Sequence, residues 1–277
     1  MNKATERQIL QIYNVVFNKI YSKDRLASLS KGSRMPLVQA AATLGSSTKY
    51  EEFAKKFAAE LTKKGLSSQR GIWRKYYEAA KKLHYVALPK TYKEYEMKIY
   101  STAVKTNFEL IKSIPQRVLE PMRHDYTSTL IEEVAKGKLS RGSFEKQLKL
   151  HGSKNAKLIA RTESAKLQTT IIETRATEIG SIAYIWRASN DKRTRPSHKA
   201  MNDVVVFWRQ PLQKPLLDKM RGNAGEFPNC RCTPQPIVDL DDLTKTNYKV
   251  YDFNTDKVIS MTKNKLIELI ETLSKES

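Results

Sequence analysis

The sequence predicts an α+β protein. A mostly helical N-terminal half is followed by a small module in which one long helix packs on a short antiparallel sheet. Apolar residues recur every three or four positions through the first 150 residues, beginning with Ile9, Ile12, Val16 and Ile20. After residue 180 the pattern changes to short β-branched and aromatic runs, separated by loops rich in proline and glycine, which is typical of strands.

Prolines and glycines divide the helical half into segments. Pro36 lies near the start of a predicted helix, and Gly45 lies at its end. Pro115 is expected to end the helix before it, and Gly152 to end a short helix that starts near residue 139. Further helices are predicted over residues 50–61, 73–83, 92–111 and 118–134. The apolar stripes of these helices are interpreted as core, for example Phe53, Phe57 and Leu61.

The second half is predicted to build the α+β module. A long helix runs from Lys154 to Glu178, and Gly180 can terminate it. Strands are predicted at SIAYIWRA, VVVFWR and TPQPIVDL. A polar stretch then leads to an amphipathic helix with Thr262 as its N-cap, which either docks on a partner or folds back on the module. We therefore divide the chain into a basic helical domain at 1–137, the module at 138–240, and a polar linker with a C-terminal helix at 241–277.

The net charge favours a polyanionic partner. Fifty Lys and Arg side chains stand against 29 Asp and Glu, a formal net charge of +21. Residues 1–150 carry a net +15 and residues 151–200 a net +6, whereas residues 201–277 carry a net charge of zero. A chain of this kind associates with phosphates without regard to sequence, so double-stranded DNA is the expected partner of the first 200 residues. A basic surface with no specific partner is the alternative.

The sequence gives no sign of a membrane or of secretion. No apolar run approaches the roughly 18 residues that a membrane span needs. The N-terminus has no apolar signal-peptide segment. The two cysteines form a Cys-x-Cys pair and no disulfide framework, which indicates a reducing, cytoplasmic compartment.

One helical stretch, residues 69–85, interleaves cations with aromatic rings. Its cations are Arg70, Arg74, Lys75, Lys81 and Lys82, and its rings include Trp73, Tyr76, Tyr77 and Tyr85. Rings among cations can stack on single strands, and cations alone can bind duplex phosphates. We interpret the rings as core and the cations as solvent-facing, where they can contact DNA.

A loop and a later turn carry the residues best suited to chemistry. Asp191, Arg193, Arg195 and His198 lie within eight residues, and Cys230, Arg231 and Cys232 follow some thirty residues later. One interpretation is a structural Zn²⁺ site with His198, Cys230, Cys232 and either Asp191 or Asp203, although Cys-x-Cys is a tighter spacing than the usual knuckle.

Two other interpretations remain open at this point. The Arg/His loop could act in catalysis as a nuclease or toxin-like RNase, with Glu163 on the long helix as the second acid or base. Alternatively the group is a structural network. Asp191 then pairs with Arg193 or Arg195, His198 bonds to the backbone, and the two cysteines are small buried side chains.

Several ordered motifs resemble the phage Mu F-like minor head protein family, which includes phage head morphogenesis proteins. They are ARTE in a helix, Y-x-W in a strand, D-x-RTRPSH in a loop and P-x-CRC before a closing strand. The resemblance covers roughly residues 140–240. The residues that carry it are Arg161, Glu163, Trp186, Asp191, Arg193, Arg195, His198, Cys230, Arg231 and Cys232. Many members have a histidine before the proline of P-x-CRC, where this chain has Phe227.

The resemblance implies a virion protein that is not an enzyme. Its expected place is the capsid interior at the portal vertex, with the host cytoplasm as its location during assembly. The expected partners are the portal protein, the major capsid or scaffolding protein, and packaged double-stranded DNA. Such a protein would aid head assembly and the retention or delivery of DNA. The family provides no catalytic residues to carry over.

Overall fold

The computed structural model describes residues 3–31, 33–67, 70–81, 88–119, 125–208 and 222–275. Those up to residue 180 are mostly helical, as predicted. The helices are α1 Lys3–Ile20, α2 Lys23–Ser30, α3 Met35–Gly45, α4 Thr48–Ser67, α5 Arg70–Ala80, α6 Tyr92–Lys112, α7 Ile114–Arg117, α8 Asp125–Ala135, α9 Arg141–Thr177, α10 Pro196–Ala200 and α11 Lys263–Lys275. None of these described helices combines the length and the apolar character needed to cross a bilayer.

The sequence signals at α1 and α3 act as predicted. The stripe of α1, beginning at Ile9 and ending at Ile20, is buried along its whole length. Pro36 lies in the first turn of α3, where a missing N–H leaves no helical hydrogen bond unmade. Gly45 is the last residue of that helix.

The helix end predicted at Gly152 is wrong, and so is the expectation that Pro115 keeps Ile114 out of a helix, although α6 does end before Pro115, at Lys112. α9 runs without a break through Gly152, because this glycine provides space and does not terminate the helix. A Cβ at Gly152 would lie 2.5 Å from two ring carbons of Phe17, so only glycine lets that ring pack so close to the helix. Pro115 does not exclude helix at Ile114 either, because it lies in the first turn of the new helix α7, which begins there.

The stripe predicted for α4 is displaced by one position. Phe53 is 42% exposed and Phe57 half-buried, whereas Ala54 and Ala58 are fully buried together with Tyr50. Small side chains let a helix approach its neighbours closely, and the larger rings are then left at the edge of the contact. Phe53 and Phe57 stack on each other there, with their ring centres 5.8 Å apart.

Parts of two predictions lie outside the described residues. The helix predicted over residues 118–134 is observed from Asp125 onward, and residues 120–124 are not among those described. Leu83, predicted to extend the stripe of α5, also lies outside them. Gly180 takes a positive φ of 84° just after α9, as predicted for a glycine that ends a helix.

The three predicted strands are neighbours in a mixed sheet, with the third of them at one edge. The described strands are β1 Ala183–Arg187, β2 Val204–Phe207, β3 Thr233–Ile237, β4 Asn247–Asp252 and β5 Lys257–Thr262, in the order β3-β1-β2-β4-β5. β1 pairs antiparallel with both β2 and β3, as predicted, with Ala183 opposite Phe207 and Ile237. The sheet as a whole is not antiparallel, however, because β2 and β4 pair in parallel.

The segment after residue 240, which we interpreted as a polar linker, instead contributes β4 and β5. Its acidic and polar composition concealed a period-two pattern in which Tyr248 and Val250 point into the core. The turn between the strands is stabilised by Asp252, whose carboxylate accepts from the backbone N–H of Asn254 at 3.1 Å and the hydroxyl of Thr255 at 2.6 Å.

α11 folds back on the sheet, which resolves one alternative left open by the sequence. Leu266 and Ile270 are buried in a cluster with Phe207 and Val250. Thr262 caps the helix as predicted, since its hydroxyl accepts from the backbone N–H of Lys265 at 3.5 Å. The apolar face of the C-terminal helix is therefore used within the fold.

The chain divides into two compact units. One takes in residues 62–103 and 165–277, and so includes α5, the sheet and α11. The other takes in residues 2–61 and 104–164, and so includes α1, α2, α3, α7 and α8. The three-part division at residues 137 and 240 remains a prediction about independently folding parts.

Candidate functional site

His198 lies in the interior of the sheet-containing unit. It is the third residue of α10, whose first residue, Pro196, sets the backbone angle of the first turn. The imidazole is only 3% exposed. It contacts the rings of Trp186 and Phe227 edge-on, at centre distances of 5.8 and 5.1 Å. The loop that carries the histidine is therefore anchored in an aromatic pocket, with the ring held in a fixed orientation.

The two cysteines face the same edge of that imidazole. Cys230 and Cys232 are each 4% exposed and are free thiols. Each Sγ lies 3.4 Å from Nδ1 of His198, and the three ligand atoms all lie within 4.8 Å of one another. The backbone N–H of Cys232 also donates to Sγ of Cys230, at 3.4 Å. The structure thus brings together three of the four predicted metal ligands.

The two thiols differ in their readiness to lose a proton. A hydrogen bond from the Cys232 thiol lowers the pKa of Cys230 despite burial, and His198 lowers it further. The same hydrogen bond, together with burial, raises the pKa of Cys232 well above its usual value. Of the two thiols, Cys230 is therefore the one that ionises more readily, because the hydrogen bond between them favours its thiolate.

Asp191, the predicted fourth ligand, lies elsewhere. Its carboxylate forms a two-armed ion pair with Arg231, one arm at 2.6 Å, and accepts from the backbone N–H of Arg193 at 2.9 Å. The hydrogen bond from Arg231 holds the pKa of Asp191 well below its usual range. The network interpretation named the wrong partner, because Asp191 pairs with the arginine between the cysteines. Asp203, the other candidate ligand, pairs with Arg187 and with Lys245.

Arg195 joins the loop to the turn that precedes the cysteines. Its Nη2 donates to the carbonyl oxygen of Pro228 at 2.9 Å, and its Nη1 lies 3.4 Å from Nε2 of His198. His198 therefore faces thiols and a guanidinium, and not the backbone partner that the network interpretation expected. Arg231 and Arg195 together tie the Asp191 loop to the Cys-x-Cys turn from two sides.

The two motif residues on α9 are structural in the other unit. Arg161 donates through Nε to Glu6 at 3.0 Å. Glu163, which the nuclease interpretation used as an acid or base, is 3% exposed and forms an ion pair with Arg117. Neither Glu163 nor His198 presents its functional group to solvent, so the described geometry gives the nuclease interpretation no accessible acid–base pair.

The described cations of α5 are exposed and two of its rings are buried, as interpreted from the sequence, while Tyr76 is half-buried and Tyr85 lies outside the described residues. Trp73 and Tyr77 are at most 3% exposed. The predicted DNA-contacting cations Arg70, Arg74, Lys75 and Lys81 are all exposed, and Lys82 lies outside the described residues. Arg70 pairs with Glu96, and Lys81 lies 3.7 Å from Glu78. For Arg74 and Lys75 the described residues show no ion pair.

A buried cation beneath α5 was not predicted. Arg175 on α9 is 1% exposed, and its guanidinium lies over the ring of Trp73 at 5.2 Å. Its Nη2 donates to the carbonyl oxygen of Leu66 at 2.5 Å, while its own carbonyl accepts from the hydroxyl of Tyr95 at 2.8 Å. Burial lowers the pKa of Arg175 from its ordinary value. Arginine within an amphipathic helix is ordinarily solvated, so the sequence offered no signal for this role.

A polar cluster around Tyr184 on β1 was also not predicted from the sequence. The hydroxyl of Tyr184 donates to Oδ1 of Asn223 at 3.1 Å and accepts from the N–H of Ala224 at 3.2 Å. Nearby, burial and the charge of Glu226 raise the pKa of Glu173 to about 7. The glycines around Asn223 and Ala224 were the one sequence hint that the backbone makes close contacts here.

Comparison with known proteins finds a match to part of the chain that contributes to both compact units. Residues 126–235 match the family model described as Phage Mu protein F like protein. This segment is Mu F-like. The match contains every motif residue that carried the resemblance, from Arg161 to Cys232, and confirms it.

A second comparison finds a related protein whose function is not described. A Haemophilus influenzae protein described as uncharacterized is 29% identical over 144 residues, which is 51% of this chain and 30% of the relative. The chain therefore spans less than a third of that relative's length. No solved structure matches the chain.

Proposed function

We propose that the protein is a minor head morphogenesis protein of a phage virion. It is carried inside the capsid at the portal vertex, after assembly in the host cytoplasm, and its protein partners are the portal protein and the major capsid or scaffolding protein. The observation that carries the proposal is the Mu F-like match over residues 126–235, which includes the whole buried His/Cys region.

Packaged double-stranded DNA is the proposed polyanionic partner. The net charge of +21 supports this role, because each phosphate neutralised by Lys or Arg releases counterions and strengthens binding without base contacts. α5 supports it locally, since its buried rings fix the helix while its cations stay in solvent. Arg74 and Lys75 are the best candidates there, because an ion pair within the described residues does not already engage them. Such contacts would help to retain DNA in the head or to deliver it.

DNA binding is tested by gel shift with two unrelated duplexes and a salt titration. We expect both duplexes to shift equally at about 50 mM salt, with affinity falling steeply as salt rises. Arg74→Ala combined with Lys75→Ala should reduce the slope of log affinity against log salt by up to about 1.8, because each phosphate contact contributes about 0.9.

A matched control removes two exposed cations of the sheet, Lys249→Ala with Lys257→Ala. It lowers the net charge equally but should change the slope less. If the control pair weakens binding as much as the α5 pair, the binding is a property of net charge and α5 is not the contact surface. An absence of any shift at about 50 mM salt removes DNA from the proposal.

Location in the particle tests the remaining part. Capsids assembled without DNA should contain the protein, and it should remain with the portal when the shell is dissociated. Loss of the protein from DNA-free capsids would show that DNA and not the portal retains it.

The nuclease alternative is separated by His198→Ala. Under the proposed function the wild-type protein cleaves neither RNA nor DNA, and the variant loses thermal stability. A measured nuclease activity that disappears in a variant that remains folded would establish the alternative instead.

A further inference from the structure

We propose that His198, Cys230 and Cys232 bind one Zn²⁺ ion through three protein ligands, with the fourth coordination position taken by a small exogenous ligand such as water. The inference stands on the geometry of these three residues and is independent of the proposed function in the virion.

The distances from the imidazole nitrogen to the two sulfur atoms suit a zinc ion, and the two sulfur atoms lie within 4.8 Å of each other. Zinc bonds of about 2.3 Å to sulfur and about 2.0 Å to nitrogen, meeting at the tetrahedral angle, place nitrogen and sulfur about 3.5 Å apart. The two measured separations, from Nδ1 of His198 to Sγ of Cys230 and to Sγ of Cys232, are both 3.4 Å. One ion can therefore contact all three donors from a single point.

The chemistry of the donors selects a thiophilic ion. Two thiolates and an imidazole are typical ligands of zinc, whereas Ca²⁺ and Mg²⁺ prefer oxygen. All three residues are at most 4% exposed, and the cysteines are not joined by a disulfide. Burying two thiols and an imidazole around one point costs desolvation, and a bound cation offsets that cost because it interacts with all three at once.

The protein itself does not complete a tetrahedron among the described residues. Asp191 is held by Arg231, and Asp203 by Arg187. Phe227, which is fully buried with its ring centre 5.1 Å from that of the imidazole, has no donor atom to offer a metal ion. A site with three protein ligands and one open position is the form that zinc adopts when an exogenous ligand binds.

Zinc binding also has a consequence for Arg195. Coordination through Nδ1 leaves the proton of the neutral imidazole on Nε2, where it faces Nη1 of Arg195 at 3.4 Å. Two donors do not bond each other, so Arg195 would keep its stronger bond to the carbonyl of Pro228 and release the ring. Arg195→Met should therefore leave zinc binding intact or make it tighter.

The test uses the full-length chain, purified under reducing conditions. Elemental analysis should find about one zinc per chain. Cobalt added to the zinc-free protein should give the intense visible bands of a four-coordinate ion and a thiolate-to-cobalt charge-transfer band. Cys232→Ser should lose the charge-transfer intensity of one thiolate and most of the zinc. Wild-type protein with reduced thiols, no zinc and no cobalt bands would overturn the proposal.

Two further variants test the number of ligands. Asp191→Asn should leave the zinc content and the cobalt spectrum unchanged, and a loss of zinc would show that this carboxylate is the fourth ligand after all. Phe227→His places an imidazole in the open position and should tighten zinc binding in competition with a chelator, whereas Phe227→Leu, of similar apolar character, should not. Equal affinities for these two variants would contradict the proposed open position. The wild-type cobalt spectrum decides the main question even where a variant does not fold.

Discussion

α5 and the His198–cysteine cluster belong to the same compact unit, but their functional side chains lie in opposite settings. The cations of α5 point into solvent above buried rings, whereas His198 and both thiols are enclosed by Trp186 and Phe227. In solvent, salt screens each charge from the others, so the charges act largely independently of one another. In the interior, each polar group depends on the next, because losing one partner leaves another buried and unsatisfied.

The two regions should therefore respond differently to substitution. Changes near the cluster should alter folding, and changes on the face of α5 should alter binding while folding persists. The same kind of substitution, made once in each region, provides the sharpest comparison.

Gly225→Ala should have the largest effect. Gly225 precedes the Cys-x-Cys turn with φ at +96°, and a Cβ there would lie 2.3 Å from the hydroxyl of Thr169 and 3.2 Å from the carbonyl oxygen of Cys232. Backbone strain and these clashes should together lower the free energy of unfolding by roughly 2 to 4 kcal/mol. Chemical denaturation followed by tryptophan fluorescence measures the loss.

Gly71→Ala is the matched control on α5. A Cβ at Gly71 meets no atom within 4 Å, and alanine favours helix over glycine. The same substitution should therefore raise the free energy of unfolding by about 0.5 kcal/mol, less than the full interior value because Gly71 lies in the first turn. If both variants lose stability to the same degree, the contrast between the two regions is wrong.

Glu173→Gln should have an intermediate effect that depends on pH. The folded-state pKa of Glu173 is raised to about 7 by burial and then by Glu226, against an unfolded value near 4.5. The folded protein therefore holds this proton more tightly than the unfolded chain. The associated stability is fully present below about pH 4.5 and is lost as pH rises through 7.

Glutamine mimics the protonated acid, so the variant should match the wild type below about pH 4.5 and exceed it at pH 8. The gain should be on the order of 1 kcal/mol once solvent screening is allowed for. Glu78→Gln, an exposed carboxylate on α5, should leave the pH dependence unchanged. Parallel stability curves for the wild type and Glu173→Gln across this range would show that the glutamate is ionised in the folded protein.

Local periodicity correctly predicted those helices and strands whose tertiary contacts favour the same structure as the local sequence. α1, the strands β1 to β3 and the helix cap at Thr262 follow from local sequence pattern and capping rules alone. Gly152 was misread because its role depends on Phe17, more than 130 positions away in the chain. β4 and β5 were missed because an acidic, polar stretch hid two adjacent strands that pair with each other, and because β4 joins the sheet through β2, which is remote in sequence.

The candidate site was predicted only in part, because some of its contacts depend on residues that are remote in the sequence. His198 and the two cysteines were recognised by residue type, and the structure brings them together. Asp191 was also the right type of residue, but Arg231 competes for it, and no spacing rule shows which of two attractive partners a carboxylate will choose. Arg175 gave no signal, because the Trp73 ring and the Leu66 carbonyl that hold it are supplied by other helices.

The smallest expected effect on stability belongs to Arg74→Ala combined with Lys75→Ala, the pair already proposed for DNA contact. Both side chains are exposed on α5, and alanine has a helix propensity at least as high as either cation. Removing them should change the free energy of unfolding by less than about 0.5 kcal/mol, while the salt dependence of DNA binding falls. A stability loss comparable to that of Gly225→Ala would mean that these cations hold the fold together. Their effect on DNA would then be indirect, since a partly unfolded α5 would no longer present the other cations of its face.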